Sequence, residues 1–128
     1  MKILIVDDNE ILTGLLKEML EIEGIDHVET AENGEEGYAV FLLFKPDIIL
    51  TDIEMPGKSG LEMVKDIRAH YAGIKIIYMS SDTDRYRTLL EDEKIRYNAR
   101  FINKPFLLSE VIGLFHEYQK EIKCECLT

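Results

Sequence analysis

Acidic residues follow two apolar segments of this chain. The first segment, residues 3–6 (ILIV), runs directly into Asp7 and Asp8. A later one, residues 48–50 (IIL), is followed by Thr51 and Asp52. Two adjacent carboxylates at the end of a buried segment repel each other, so a physical reason is needed for their placement.

Two further apolar segments end in groups that interact with anions. Residues 74–79 are followed by Ser80, and residues 100–102 are followed by Asn103 and Lys104. Phosphoryl transfer depends mainly on positioning and on neutralising charge, and a hydroxyl and an ammonium group can contribute to both. The residue types therefore point to the chemistry of phosphate.

A divalent cation would turn the repulsion among the acids into binding. Mg²⁺ prefers oxygen ligands, and the expected donors are Asp7, Asp8 and Asp52. Asp52 is then the expected nucleophile, since aspartate carboxylates accept phosphoryl groups. Lys104 is expected to neutralise phosphoryl oxygens, and the hydroxyl of Ser80 is expected to donate a hydrogen bond to them.

Parallel strands are the elements that would bring these groups together. Near-continuous runs of Ile, Val and Leu are typical of strands buried on both faces, and candidate strands lie at residues 3–6, 27–31, 48–50, 74–79 and 100–102. Helical stretches, most of them with apolar residues at helical spacing, alternate with them, at residues 11–20, 35–44, 61–71, 85–94 and 108–115. This alternation predicts an α/β fold with a doubly wound parallel sheet. In such sheets ligands bind beyond the carboxyl ends of the strands, where all the candidate residues fall.

The composition limits the other possibilities. The chain has 128 residues, of which 46% are hydrophobic, and it carries a net charge of -10. We expect one domain over residues 1–122 and a short tail over residues 123–128, with Cys124 and Cys126 as reduced thiols of a cytoplasmic protein. The acidic charge argues against direct nucleic-acid binding, and no apolar stretch approaches the roughly 20 residues that span a membrane.

Four motifs together resemble the receiver domain of two-component response regulators. In chain order they are VDDN, TDIEMPGKSG, MSSD and FINKPF. The resemblance covers nearly the whole chain and implies a flavodoxin-like fold of five strands and five helices. It implies that Asp52 is the phosphoacceptor and that Asp7 and Asp8 form the acid pair. It also implies that Mg²⁺ is held by Asp8, Asp52 and the backbone carbonyl of Glu54.

The resemblance also implies how such a site is switched. Ser80 matches the hydroxyl residue and Lys104 the lysine that contact the phosphoryl group, while Phe101 matches the switch aromatic. Pro105 follows the lysine in a peptide bond that is usually cis in the family. A histidine kinase or histidine phosphotransfer protein would phosphorylate Asp52, and phosphorylation would change the binding of a partner. The chain is then expected to act as a stand-alone receiver that turns over no external substrate.

Several residues depart from the family pattern. Glu54 and Asp82 lie two residues beyond the phosphoacceptor and the switch hydroxyl, at positions that tune the lifetime of the phosphoryl group in the family. Asn98 replaces a common glycine, and asparagine tolerates left-handed backbone geometry. Leu107 stands where a capping residue is common, which is expected to weaken the start of the last helix.

Two other functions remain possible from the sequence. A degenerate receiver can act only as a binding module, although such proteins usually lack one of the acids, the lysine or the phosphoacceptor. An Mg²⁺-dependent aspartyl-phosphate phosphatase also uses an aspartate nucleophile, and Glu54 is a second acid two residues after Asp52. The first strand lacks the Asp-x-Asp-x-Thr pattern of those enzymes.

Arginines are concentrated in one part of the sequence. Four of the five lie between Ser81 and Phe101: Arg85, Arg87, Arg96 and Arg100. Ion pairs within the fourth helix would account for the first two, whereas Arg96 and Arg100 are expected beyond that helix. Arginine is favoured at interfaces. We therefore expect an acidic partner, or a second copy of the chain, to engage Arg96, Tyr97 and Arg100 on the face formed by the fourth helix, fifth strand and fifth helix.

Overall fold

The strands form one parallel sheet. The computed structural model describes residues 1–127, with side chains described through residue 123. The strands are β1 (Lys2–Val6), β2 (His27–Ala31), β3 (Ile48–Asp52), β4 (Lys75–Ser80) and β5 (Arg100–Asn103). Their spatial order is β2-β1-β3-β4-β5, and every neighbouring pair is parallel. The order reverses at β1 and β3, which is where ligands bind in such sheets.

Helices cover both faces of the sheet. They are α1 (Glu10–Ile22), α2 (Gly34–Phe44), α3 (Gly60–Arg68), α4 (Arg87–Tyr97) and α5 (Leu108–Leu127). Alternate residues of β1 belong to different cores: Leu4 packs with residues of α2, α3 and α4, and Ile5 packs with residues of α1 and α5. A strand buried on both faces needs apolar residues at every position, which explains its continuous apolar run. The predicted doubly wound α/β fold is confirmed.

Local signals explain most of the helix boundaries. The side chain of Asn9 accepts hydrogen bonds from the backbone N–H groups of Ile11 and Leu12 at 3.1 and 3.2 Å, and so caps α1. Gly24, just beyond that helix, has a φ of +92°. Asn98 ends α4 with a φ of +58°, as its replacement of a glycine predicted.

Three helix predictions require adjustment. Helix α3 ends at Arg68, short of Tyr71. Helix α4 spans Arg87–Tyr97 rather than residues 85–94. At the start of α5, the carboxylate of Glu110 accepts the backbone N–H of Leu107 at 3.1 Å, so the helix itself supplies a cap that Leu107 cannot.

The C-terminal end of the chain is described only in part, so some predictions about it are not tested. Helix α5 continues through Leu127, past the boundary expected between residues 122 and 123. The side chains of Cys124 and Cys126 lie outside the described residues, and the domain boundary stays a prediction. Among the described helices, none combines the length and apolar character that crossing a bilayer requires.

Candidate functional site

The register of the sheet places four strand ends side by side. Val6 in β1 is paired with Thr51 in β3, and Asp52 in β3 is paired with Met79 in β4. Ser80 in β4 is paired in turn with Asn103 in β5. The residues that follow these pairs therefore share one edge of the sheet, as the sequence predicted.

Three carboxylates converge at this edge. Oxygen atoms of Asp7, Asp8 and Asp52 lie within 4.8 Å of one another. Asp7 is 1% exposed and Asp52 is 7% exposed, whereas Asp8 is exposed to solvent. The backbone N–H of Asn9 donates to Oδ1 of Asp7 at 2.9 Å, which fixes that carboxylate. Clustered hard oxygen donors fit a divalent cation such as Mg²⁺.

Lys104 is the cation of the site. Its Nζ lies 2.7 Å from Oδ2 of Asp7 and 3.6 Å from Oδ2 of Asp52. Its backbone N–H donates to the carbonyl of Ser80 at 2.8 Å, which holds the end of β5 against β4. The Lys104–Pro105 peptide bond is cis, as the resemblance implied.

The electrostatics of the site are unbalanced. Burial raises the pKa of Asp52 to about 6. The charge of Lys104 opposes this rise, and the charges of Asp7 and Asp8 add to it. Burial alone would lower the pKa of Lys104, but its hydrogen bond to Asp7 and the charge of Asp52 raise it instead. One ammonium group thus compensates only part of the negative charge of three carboxylates.

A glycine allows α3 to begin directly beside the site. The backbone N–H of Gly60 donates to the carbonyl of Ile53 at 2.9 Å. A Cβ atom at this position would lie 2.1 Å from the carbonyl oxygen of Asp52, so any side chain would displace the strand end. The last residue of the TDIEMPGKSG motif therefore has a steric reason to be glycine.

Ser80 is held by a carboxylate that the sequence did not assign to it. Its hydroxyl is fully buried and donates to Oε1 of Glu54 at 2.9 Å. It also accepts the backbone N–H of Asp82 at 3.0 Å. Phe101 is half-buried, packs against the core formed with α2, α3 and α4, and pairs in register with Tyr78. Both switch candidates therefore lie on neighbouring strands that lead to the site.

The prediction that Arg96 and Arg100 lie beyond the fourth helix is wrong for Arg96 and correct for Arg100, which begins β5. Arg96 lies inside α4, and its Nε is 3.0 Å from Oδ1 of Asp92, so it belongs to the ion pairs of the helix. Arg100 is 19% exposed and pairs with Glu117 and Glu121 of α5 at 3.3 and 3.1 Å. That Arg96 and Arg100 belong to a partner face stays a prediction. The contacts of Arg100 with α5 argue against its part in that face.

A second group of buried polar side chains was missed by the sequence reasoning. Oε1 of Glu93 in α4 accepts from Nη2 of Arg68 in α3 at 2.9 Å and from the hydroxyl of Tyr78 in β4 at 2.5 Å. The ring of Tyr97 lies 3.8 Å from the Cζ atom of Arg68. Burial raises the pKa of Tyr78. A tyrosine inside the apolar segment IIYMS was a usable signal, because a buried hydroxyl needs a partner.

Comparison with known proteins gives a consistent result. A family model described as the response regulator receiver domain matches residues 3–115. The chain is 33% identical over 110 residues to the chemotaxis protein CheY of Halobacterium salinarum, an alignment that covers 82% of this chain and 85% of that protein. It is 32% identical over 120 residues to the CheY of Thermotoga maritima, covering 93% and 98% of the two chains.

Solved structures agree with the sequence relatives. A CheY-like receiver domain protein from Methanospirillum hungatei superposes with a TM-score of 0.85 at 27% identity, covering 97% of both chains.

The transcriptional regulatory protein RprY of Bacteroides fragilis is 35% identical over 111 residues, but this alignment covers only 46% of that longer protein. The chain therefore matches both CheY proteins and one part of a larger regulator.

Proposed function

This chain belongs to the response regulator receiver domain family, and from that premise we propose that it is a phosphoacceptor in two-component signal transduction, with Asp52 as the phosphorylated residue. The observation that carries the proposal is the position of the Asp52 carboxylate, clustered with Asp7 and Asp8 and 3.6 Å from Nζ of Lys104. Degenerate receivers, by contrast, usually lack one of these groups.

The acid cluster is proposed to hold Mg²⁺. Asp8, Asp52 and the backbone carbonyl of Glu54 would be its ligands, and the hard oxygen donors of the cluster fit this ion. When bound, the cation neutralises charge on the carboxylates and on phosphoryl oxygens. Asp7 is already engaged by Lys104 at 2.7 Å, so its role is to orient the lysine and to add negative charge beside the ligands.

Asp52 is proposed to act as the nucleophile. One of its carboxylate oxygens forms a bond to phosphorus while the P–N bond of a phosphohistidine donor breaks, and the electron pair of that bond leaves with the imidazole nitrogen. Lys104 then pairs with an oxygen of the transferred group, since its Nζ is within 3.6 Å of Asp52. The histidine would belong to a histidine kinase or a histidine phosphotransfer protein.

The proposed switch begins with an exchange of acceptors at Ser80. The hydroxyl now donates to Glu54 at 2.9 Å. A phosphoryl group on Asp52 supplies three strong acceptor oxygens and roughly -2 charge, so Ser80 can turn from Glu54 toward it. The shift leaves space for the half-buried ring of Phe101 to turn inward. Glu54 thus competes with the phosphoryl group for the same donor.

The output is proposed to be protein binding in the cytoplasm. The predicted face of α4, β5 and α5 would engage a downstream protein or a second copy of the chain, with Arg96, whose side chain is 67% exposed, among its contact residues. No direct contact with nucleic acid or membrane is proposed. The chain would promote its own phosphorylation without turning over an external substrate.

Labelling with acetyl phosphate tests the proposal. In the presence of Mg²⁺, one phosphoryl group should be added to the wild type, visible as a mass shift that is stable in acid and labile in base. Asp52→Asn should abolish the shift because an amide is not a nucleophile here. Asp26→Asn, which changes an aspartate 82% exposed, should label like the wild type. Equal labelling of wild type and Asp52→Asn would refute the assignment of Asp52.

A further inference from the structure

A buried arginine outside the phosphorylation site has donors without acceptors. Arg68 is 8% exposed, and Nη2 is its only nitrogen with a hydrogen-bond partner among the described residues, the carboxylate of Glu93. Its Nε and Nη1 are both buried and unpartnered within that part of the chain. Buried donors without partners are rare, because leaving them unsatisfied is costly.

Arg68 lines a groove between α3 and α4. The groove has a volume of about 530 Å³. Its apolar lining comes from both helices and includes Leu61, Val64, Ala69 and Leu89. Lining residues extend from 61 to 69, along α3 and its C-cap residue, and from 89 to 97 on α4. Each wall is about two helical turns, or about 12 Å, long.

The ring of Tyr97 covers the guanidinium group. It lies 3.8 Å from Cζ of Arg68, it is itself half-buried, and it lines the same groove. Tyr97 is the last residue of α4, directly before the left-handed Asn98. Because Nε and Nη1 of Arg68 are buried, a ligand can reach them only if a covering side chain such as Tyr97 moves aside.

From this arrangement we propose that the α3–α4 groove binds a protein segment that carries one carboxylate flanked by apolar side chains. The carboxylate accepts hydrogen bonds from the free donors of Arg68, which gives it a charge-assisted contact. The flanking apolar side chains contact Leu61, Val64 and Leu89. Leu89 is 55% exposed in the free protein, so binding removes apolar surface from water.

The surroundings select this chemistry over others. The groove is lined by three acids, Glu62, Asp92 and Glu93, and by two bases, Lys65 and Arg68. The net charge of its lining is therefore negative, which disfavours a doubly charged phosphate more than a single carboxylate. The length of the groove, about two helical turns along each wall, fits a peptide segment better than a small organic acid. The proposal does not require phosphorylation of Asp52.

The test uses a matched pair of capped peptides. One has the sequence Leu-Ala-Glu-Leu-Leu, and the other has glutamine in place of glutamate. Each is titrated into the unphosphorylated, isotopically labelled protein, and the backbone amides and the Nε–H of Arg68 are followed by NMR. We expect the amides of residues 61–69 and 89–97 to shift, with the glutamate peptide binding roughly ten-fold more tightly than the glutamine peptide.

Protein variants separate binding from folding. Arg68→Gln should remove the preference for glutamate, whereas Arg87→Gln, which changes an arginine on α4 that is 72% exposed, should keep it. Because Arg68→Gln alters a buried ion pair, it could also affect folding, so a second variant changes only the surface. Leu89→Glu should lower the affinity for the glutamate peptide several-fold. Its control is Leu43→Glu, at an α2 position 89% exposed, which should bind both peptides like the wild type.

Several outcomes would overturn the proposal. Equal affinity for the two peptides would remove the role of Arg68, and shifts confined to other surfaces would place the binding site elsewhere. Shifts at residues 61–69 and 89–97 that depend on protein concentration without peptide would make a second copy the occupant. None of these outcomes bears on labelling of Asp52, so the proposed function is tested separately.

Discussion

Two polar regions among the described residues differ in what they lack: one lacks positive charge and the other lacks hydrogen-bond acceptors. In the acid site, formed by Asp7, Asp8, Asp52 and Lys104, three carboxylates share one ammonium group, which lies 2.7 Å from Asp7 and 3.6 Å from Asp52. The arginine network is formed by Arg68, Tyr78, Glu93 and Tyr97. In it the carboxylate of Glu93 pairs with Nη2 of Arg68, and the other two nitrogens of Arg68 have no partner among the described residues. The acid site therefore has excess negative charge, and the arginine network has hydrogen-bond donors without acceptors.

In a third charged cluster, all three nitrogens of a guanidinium group have hydrogen-bond partners. Arg100 donates to the backbone carbonyl of Asn98 at 2.8 Å and pairs with Glu117 and Glu121. Its guanidinium also lies 4.9 Å from the ring centre of Tyr118. These contacts tie β5 to α5. The comparison teaches that a cluster whose donors all have partners holds elements together, whereas a cluster with uncompensated charge or unpartnered donors can still bind a ligand.

The largest effect on stability is expected at Asp52 in metal-free protein. The pKa of Asp52 is about 6 in the folded state, against 3.8 for an ordinary aspartate. The folded state therefore holds this proton more tightly, and its ionisation destabilises the fold as the pH rises from about 4 to 6. Asp52→Asn removes the ionisation, and at pH 7 the variant should be more stable than the wild type by on the order of 3 kcal/mol.

Chemical denaturation in the presence of a chelator, repeated across pH values, measures this difference. The difference in free energy of unfolding between Asp52→Asn and the wild type should be largest above pH 6. It should vanish below about pH 4, where both proteins are uncharged at position 52. Taking the difference between the two proteins cancels the titration of the other acidic residues. A gap that stays constant with pH would show that repulsion in the acid site is not its cause.

Magnesium should have the next largest effect. A ligand that binds only the folded state stabilises it by about 2 kcal/mol at a concentration tens of times its Kd, which raises the melting temperature by roughly 7 °C for a domain of this size. Asp8→Ala should lose most of this gain, and Asp26→Ala, 82% exposed and outside the cluster, should retain it. A melting temperature of folded wild type that does not respond to millimolar Mg²⁺ would contradict the metal site.

The acid site could be predicted from the sequence because each of its residues ends or follows a strand. Once the strands are parallel, their carboxyl ends meet, so Asp7, Asp52, Ser80 and Lys104 are placed by topology alone. The hydrogen bond from Ser80 to Glu54 was not predicted, since it depends on the path of the loop after β3 rather than on a strand end.

The arginine network could not be predicted in the same way. Arg68 and Glu93 are 25 residues apart, on different helices, and their contact depends on how α3 and α4 pack. The sequence predicted ion pairs along the fourth helix, with Arg96 beyond them. In the structure Arg96 pairs with Asp92 inside α4, whereas Glu93 of the same helix pairs across to Arg68 of α3. Sequence periodicity identifies pairs within a helix, but it carries no information on which residues of two helices meet.

Within the arginine network, Glu93→Gln is expected to have a moderate effect. Glutamine can still accept from Arg68 and Tyr78, but it lacks the charge that compensates a guanidinium only 8% exposed. We expect a loss of about 1 kcal/mol in the free energy of unfolding. Glu91→Gln, at an exposed position of the same helix, should change it little. Labelling of Asp52 should be normal in both variants, because the network lies outside the acid site.

The smallest effect on stability is expected at Arg96. It tests whether burial sets the Arg68–Glu93 pair apart from the Arg96–Asp92 pair. The Arg96–Asp92 distance of 3.0 Å is close to the 2.9 Å between Arg68 and Glu93, but Arg96 is 67% exposed and Arg68 only 8%. Water already solvates an exposed pair, so Arg96→Gln should cost no more than about 0.5 kcal/mol in the free energy of unfolding. The loss should shrink further in high salt, which screens exposed charges. A loss as large as that of Glu93→Gln would mean that the two pairs differ little in energy, and that burial does not set the arginine network apart.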